Sequence, residues 1–144
     1  MNNRYLLDTC VLSEYIRKQP EQKVIQWLDL QLEANLFVSV LTIGEIKKGI
    51  VKIEQSQAEK SRKLNLWLQT VIERFDNRIL SLNKEILFQW GIICGNSEQK
   101  GRKLAVIDSL IAATAIFNRL TLVTRNESDF ANLNITIYNP WINR

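Results

Sequence analysis

The sequence predicts an α/β sandwich: a central, mainly parallel sheet of four to five strands, flanked by helices and built by a single domain over residues 1–144. Three observations predict it. Short apolar runs alternate with longer stretches in which apolar residues recur every three or four positions, the signatures of buried strands and amphipathic helices. No internal repeat and no Pro- or Gly-rich linker interrupts the alternation. With 46% hydrophobic and 24% charged residues, a chain of this length can bury a sizeable core.

The first strand is the apolar run Tyr5, Leu6, Leu7, which stops at Asp8 and hands over to the helical spacing of VLSEYIR. Pro20 suits the first position of a second helix, whose stripe of Val24, Ile25, Trp27, Leu28 and Leu32 ends at Asn35. Leu36 to Val40 reads as the second strand. A helix follows over TIGEIKKGIVKI, with Ile43, Ile46, Ile50 and Ile53 on one face. From Gln55 to Phe75 the pattern is a long helix with Leu64, Trp67, Leu68, Val71, Ile72 and Phe75 on its stripe. Its polar, basic first half suggests one projecting arm of a helical hairpin.

Arg78 to Leu82 reads as a third strand, and Asn83 as the N-cap of a helix carrying Ile86, Leu87, Trp90, Ile93 and Cys94. Ser, Asn and Gly around Gly95 to Gly101 predict a loop. The Ala- and Ile-rich LAVIDSLIAATAIFN is a helix, Leu120 to Val123 a fourth strand, TRNESDF a polar turn, and Ile135 to Tyr138 a last strand before Pro140.

Composition excludes much chemistry. There is no histidine, so Ser-His-Asp and Cys-His triads and most zinc sites are ruled out. Cys10 and Cys94 lie far apart and read as reduced thiols. No apolar run approaches the roughly 20 residues of a membrane helix. The N-terminus does not resemble a signal peptide, because Asp8 breaks its apolar stretch. A cytoplasmic protein with no membrane partner is expected.

Four carboxylates stand out by position. Asp8 follows the first strand, and Glu45 lies one turn into the helix after the second. Asp108 opens the helix leading to the fourth strand, and Asp129 lies in the turn after it. In open parallel sheets, ligands bind beyond the carboxyl ends of the strands. If the first, second and fourth strands are neighbours, all four acids meet at that edge. Close carboxylates repel, so such a cluster needs protons or a cation, and Mg²⁺ or Mn²⁺ suits oxygen ligands. Each acid also has a structural explanation. Asp8 and Asp108 favour helix starts, Thr42 and Glu45 fit a capping box, and Asp129 suits a turn.

The segments LLDTCVLSEY, SVLTIGEIKKG, DSLIAATA and LVTRNESDF occur in the order and spacing of the PIN-domain ribonucleases, and most resemble the VapC-type toxins of bacterial toxin–antitoxin pairs. The resemblance runs from about Tyr5 to Phe130. It implies a PIN-like α/β/α sandwich and a metal site of Asp8, Glu45, Asp108 and Asp129 that hydrolyses RNA phosphodiesters. Thr9 and Ser39 match hydroxyl positions flanking that site, and Thr124 is a similar candidate. Asn126 stands where some family members carry another acid. A small antitoxin and a homodimer are the implied protein partners. With water as nucleophile, the implied products carry 5′-phosphate and 3′-hydroxyl ends.

Charge agrees with a polyanionic substrate. With the four acids set aside, 11 acidic residues remain against 19 basic ones, an excess of eight. Lys47, Lys48, Lys52, Lys60, Arg62 and Lys63 are the densest group, and Lys100, Arg102 and Lys103 follow later. Two rival readings fail on single residues. A haloacid-dehalogenase phosphatase needs DxD, and Cys10 replaces the second acid; a receiver-type phosphoacceptor needs a lysine that VTRN does not offer. The alternative from another class is a catalytically weak PIN fold acting as an RNA-binding or protein-interaction module.

Overall fold

A computed structural model describes residues 3–142. Its sheet has five parallel strands in the order β3-β2-β1-β4-β5. They are β1 (Tyr5–Leu7), β2 (Leu36–Ser39), β3 (Ile79–Leu80), β4 (Thr121–Val123) and β5 (Ile137–Tyr138). The helices between them are α1 (Thr9–Leu12), α2 (Gln22–Leu30), α3 (Val40–Lys52), α4 (Ala58–Phe75), α5 (Lys84–Gln99) and α6 (Val106–Phe117). The mainly parallel α/β/α sandwich read from the sequence is therefore the observed fold. β1 lies at the centre, with Tyr5 in register with Leu36 on one side and Thr121 on the other.

Alternation along β1 divides the core in two. Leu7 enters a cluster with Val11, Val24, Val38, Leu68 and Phe75, beneath α1 to α4. Leu6 enters the other, with Ile111, Ala112, Ala115, Leu122 and Phe130, beneath α6. The alanines of α6 let that helix lie close to the sheet, and truncating Leu6 beneath it would cost about 2–5 kcal/mol. Trp27 belongs to the core, as its stripe predicts. It meets Tyr5 edge-on and stacks on Tyr138, each at 5.0 Å between ring centroids. Trp90 also points inward, its Nε1 donating to Ser109 Oγ at 2.9 Å.

Several boundaries differ from the sequence expectation, each for a local reason. α2 does not reach from Pro20 to Asn35. The backbone turns extended at Gln31, whose side chain caps the Trp27 carbonyl at 2.9 Å, and Leu32 is 73% exposed. Val40 is the first residue of α3 rather than the last of β2. α4 begins at Ala58, not Gln55, and its first half is not free of the body: Ser61 is buried, and Lys47 of α3 donates to Asn65 at 2.7 Å. β3 is shorter than Arg78 to Leu82, because the backbone of Arg78 belongs to the 3-10 turn Asp76–Arg78, while its guanidinium donates to the carbonyls of Glu33, Leu36 and Arg74.

The loop expected from Gly95 is helix as far as Gln99; the turn comes at Gly101, where φ of +81° calls for glycine. Asn83 caps α5 as expected, accepting from Ile86 N at 2.8 Å. α6 starts at Val106 because Ala105 is extended. Ile135 is held in a tight turn with Leu133 instead of joining β5. Among the described residues no helix is long and apolar enough to cross a membrane.

Candidate active site

The central position of β1 brings the carboxyl ends of β1, β2 and β4 side by side, and the candidate residues cluster there. Asp8 follows β1 directly, its backbone N–H donating to the Val123 carbonyl of β4 at 3.0 Å. The helix-cap explanation is correct as far as it goes: Oδ1 accepts from Thr9 N at 2.9 Å. The other oxygen does something a cap does not need. Oδ2 accepts from the fully buried Thr124 hydroxyl at 2.8 Å, across from the end of β4. Thr124 in turn accepts from Asn126 N at 3.1 Å, so one hydroxyl links Asp8 to the turn after β4.

Glu45 departs from its structural explanation. A capping box would tie it back to the start of α3, but the cap is Ser39, whose Oγ accepts from Leu41 N at 3.0 Å. Glu45 lies beyond that first turn, and its Oε1 accepts from Thr9 Oγ1 at 2.5 Å. Thr42 is buried one turn earlier, its hydroxyl 3.2 Å from that of Thr9. Thr9 has a single hydroxyl proton. The short contact to a carboxylate claims it, and the Thr42 hydroxyl lies beside the pair as the weaker acceptor for Thr9.

Asp108 sits half-buried in the first turn of α6, where the helix N-terminus favours an acid. Burial holds its carboxyl above the usual carboxylate range, and the charges of Asp8, Asp129 and Glu45 push it further the same way. Every charged group acting on it is thus another of the four acids. Asp129 is exposed on the single 3-10 turn Glu127–Phe130, anchored by the buried Phe130 beside it. Asn126 is exposed at the start of that turn.

Three residues of the site were missed by sequence reasoning. Thr42 had a visible signal, since its spacing to Glu45 puts both on one helix edge, but the capping box absorbed it. Cys10 packs 3.8 Å from Asp8 Oδ2 and from Thr124 Oγ1; burial, then the charge of Asp8, pushes its thiol up and keeps it protonated. Asn139 is buried, and its Nδ2 donates to Glu127 Oε2 at 2.9 Å, pinning the turn that carries Asp129. Nothing in the sequence near Asn139 marks it.

Among the described residues, no three acidic or thiol side chains are drawn tightly enough together to hold an ion as they stand. The donor chemistry nonetheless suits a hard divalent cation. All four acids offer oxygen, the nearby thiol stays protonated, and the mutual repulsion felt at Asp108 is what a positive charge would relieve.

The chain resembles known proteins over nearly all of its length. The PIN domain family matches residues 5–135. The chain is similar to Toxin FitB of Neisseria gonorrhoeae, 31% identical over 94% of this chain and 97% of that one. It is also similar to VapC ribonuclease Y4jK of Sinorhizobium fredii, 28% identical over 94% and 96% of the two chains. Among solved structures, FitAcB of Neisseria gonorrhoeae superposes with a TM-score of 0.88 at 31% identity, covering 95% of this chain and 98% of the other. VapBC2 of Rickettsia felis, bound to a DNA fragment from its promoter, gives 0.76 at 28% identity, covering 94% and 97%.

Proposed function

This chain belongs to the PIN-domain family, and from that premise we propose that it is a Mg²⁺- or Mn²⁺-dependent endoribonuclease, the toxin of a toxin–antitoxin pair. One observation carries the reading. The charges of Asp8, Glu45 and Asp129, carried by separate elements, all reach Asp108 at the sheet edge where α/β proteins bind ligands. Relatives named as a toxin and as a ribonuclease support the role and the substrate class.

Asp8 and Asp108 would hold the cation, with Glu45 and Asp129 as further ligands or as the base. A cation held there would supply a more acidic water and stabilise charge on the phosphodiester. The chain's own groups do the rest. Thr124 and Thr9 N fix both oxygens of Asp8, so that carboxylate keeps one orientation. Thr9 fixes Glu45 in the same way, through its hydroxyl proton. A carboxylate of the set accepts the water's proton during in-line attack, and the products carry 5′-phosphate and 3′-hydroxyl ends.

An antitoxin segment would occupy the groove of about 520 Å³ between α1, α2 and α4, whose apolar wall includes Leu12, Leu28, Trp67, Val71 and Phe75. A homodimer belongs to the same proposal, and a monomer by sedimentation at working concentration would refute it.

The test is cleavage of mixed cellular RNA by antitoxin-free protein with Mg²⁺, Mn²⁺ or EDTA, with Asp8→Asn protein alongside. Metal-dependent cleavage that the variant loses supports the proposal. Products ending in 2′,3′-cyclic phosphate contradict the mechanism. Folded protein that binds metal but cuts no RNA would instead favour a binding module.

A further inference from the structure

The basic residues of α3 and α4 look alike in sequence, but the fold sorts them. Lys47 is turned to the α3–α4 seam, where it donates to Asn65, and Arg62 is paired with Glu59. Lys48 and Lys52 instead line an open groove of about 490 Å³ whose wall includes Glu45 of the acid cluster. Glu45, Lys48 and Lys52 are three and four residues apart, so they share one face of α3. At a rise of about 1.5 Å per residue, the lysines lie roughly 4.5 and 10.5 Å along the helix from Glu45.

Gly44 and Gly49 also line the groove. A Cβ added at either would meet nothing within 4 Å, so these positions leave space that a side chain would fill. Val40 and Ile107 close the groove with partly exposed apolar surface.

We propose that this groove is the subsite for the single-stranded RNA flanking the cleaved bond. Two phosphates on one side of that bond lie against Lys48 and Lys52, and a base or ribose covers Val40 and Ile107. The inference rests on the ribonuclease reading and adds a path for the substrate. The physical need is plain. Four carboxylates repel a polyanion, so binding energy must come from cations beside them, and this groove joins such cations to the cluster. Apolar surface next to them suits the faces of unpaired bases.

The experiment measures anisotropy of a labelled single-stranded RNA with Asp8→Asn protein in EDTA, where nothing is cut, across a salt series. Adding Lys48→Gln and Lys52→Gln together should weaken binding about tenfold at low salt. The slope of log K against log salt should flatten by roughly 1.4, or about 0.7 per lost phosphate contact on a single strand. Lys47→Gln with Arg62→Gln, both outside the groove, should leave both unchanged. In the active protein the groove pair should raise KM with kcat held, and Gly49→Leu, which fills the groove without altering charge, should do the same. Unchanged binding and slope in the Lys48/Lys52 variant, with the wild type cutting RNA, would overturn the groove and leave the nuclease reading standing. A wild type that neither binds nor cuts RNA would overturn both.

Discussion

Two groups of acids in this protein live in opposite surroundings. Glu14 is almost fully buried, yet each of its oxygens is answered: Arg17 donates to both at 3.1 and 3.2 Å, and Glu21 N donates to one at 2.8 Å. On the surface, Glu33 is held by Arg74 and Arg78, whose hydrogen bonds and charge keep its carboxyl below the usual range. At the sheet edge the sign reverses. Asp108 is pushed up by burial and by three other carboxylates. Glu14 and Glu33 are matched by cations, whereas Asp108 is gathered with its own kind and costs stability. The contrast sets Asp108 apart from the structural acids without reference to any relative.

The comparison can be broken most sharply at Asp108. Asp108→Asn should lower RNA cleavage about a hundredfold or more. In EDTA near neutral pH it should nevertheless raise the urea midpoint. Because the folded pKa lies above the unfolded one, the native state holds the proton more tightly. Stability therefore falls as pH rises from the unfolded value, about 3.9, through the folded one. The variant's gain should accordingly appear as pH rises across that window and vanish below it. A loss of stability at neutral pH would show that Asp108 is a structural acid after all.

Glu14→Gln is the mirror experiment. It should cost about 1–3 kcal/mol in urea unfolding, because Arg17 and Glu21 N lose a charged acceptor. Cleavage per folded molecule should stay unchanged. Thr124→Val tests the hinge between the two kinds of role, since that hydroxyl is buried like a structural group but serves Asp8. About 1 kcal/mol of stability and roughly tenfold in cleavage should go together. Loss of stability alone would make Thr124 a core residue only. Glu33→Gln should do least. Its partners are solvent-screened, so no shift of the urea midpoint should be resolvable at neutral pH, and what the pair does contribute disappears on acidification through the lowered folded pKa.

Most of this was legible in the chain, and what was not has physical reasons. Asp8 announced itself because an apolar strand stops at it, and a parallel strand buried on both faces leaves little else to read. Asp108 and Asp129 were placed by the elements around β4. Glu45 was visible although a local rule competes for it: Thr42 and Glu45 have capping-box spacing, and only the three-dimensional position of Thr9 shows where the carboxylate goes. Gly95 misled for the opposite reason. Local propensity argued for a loop, while α5 carries the residue on an exposed face at a cost of about 1 kcal/mol. Asn139 was invisible because its partner, Glu127, is reached only when β5 docks on β4.

The strand order has a last consequence, which concerns time. The acids are numbered 8, 45, 108 and 129, and β1 cannot gain its second neighbour until β4 exists. A chain made from its N-terminus can bury Leu7 with α1 to α4 early, but Leu6 waits for α6 and β4. The edge at which the carboxylates meet is therefore among the last parts of the molecule to form. In the proposed ribonuclease, that order would keep the unfinished chain inert beside the RNA that encodes it.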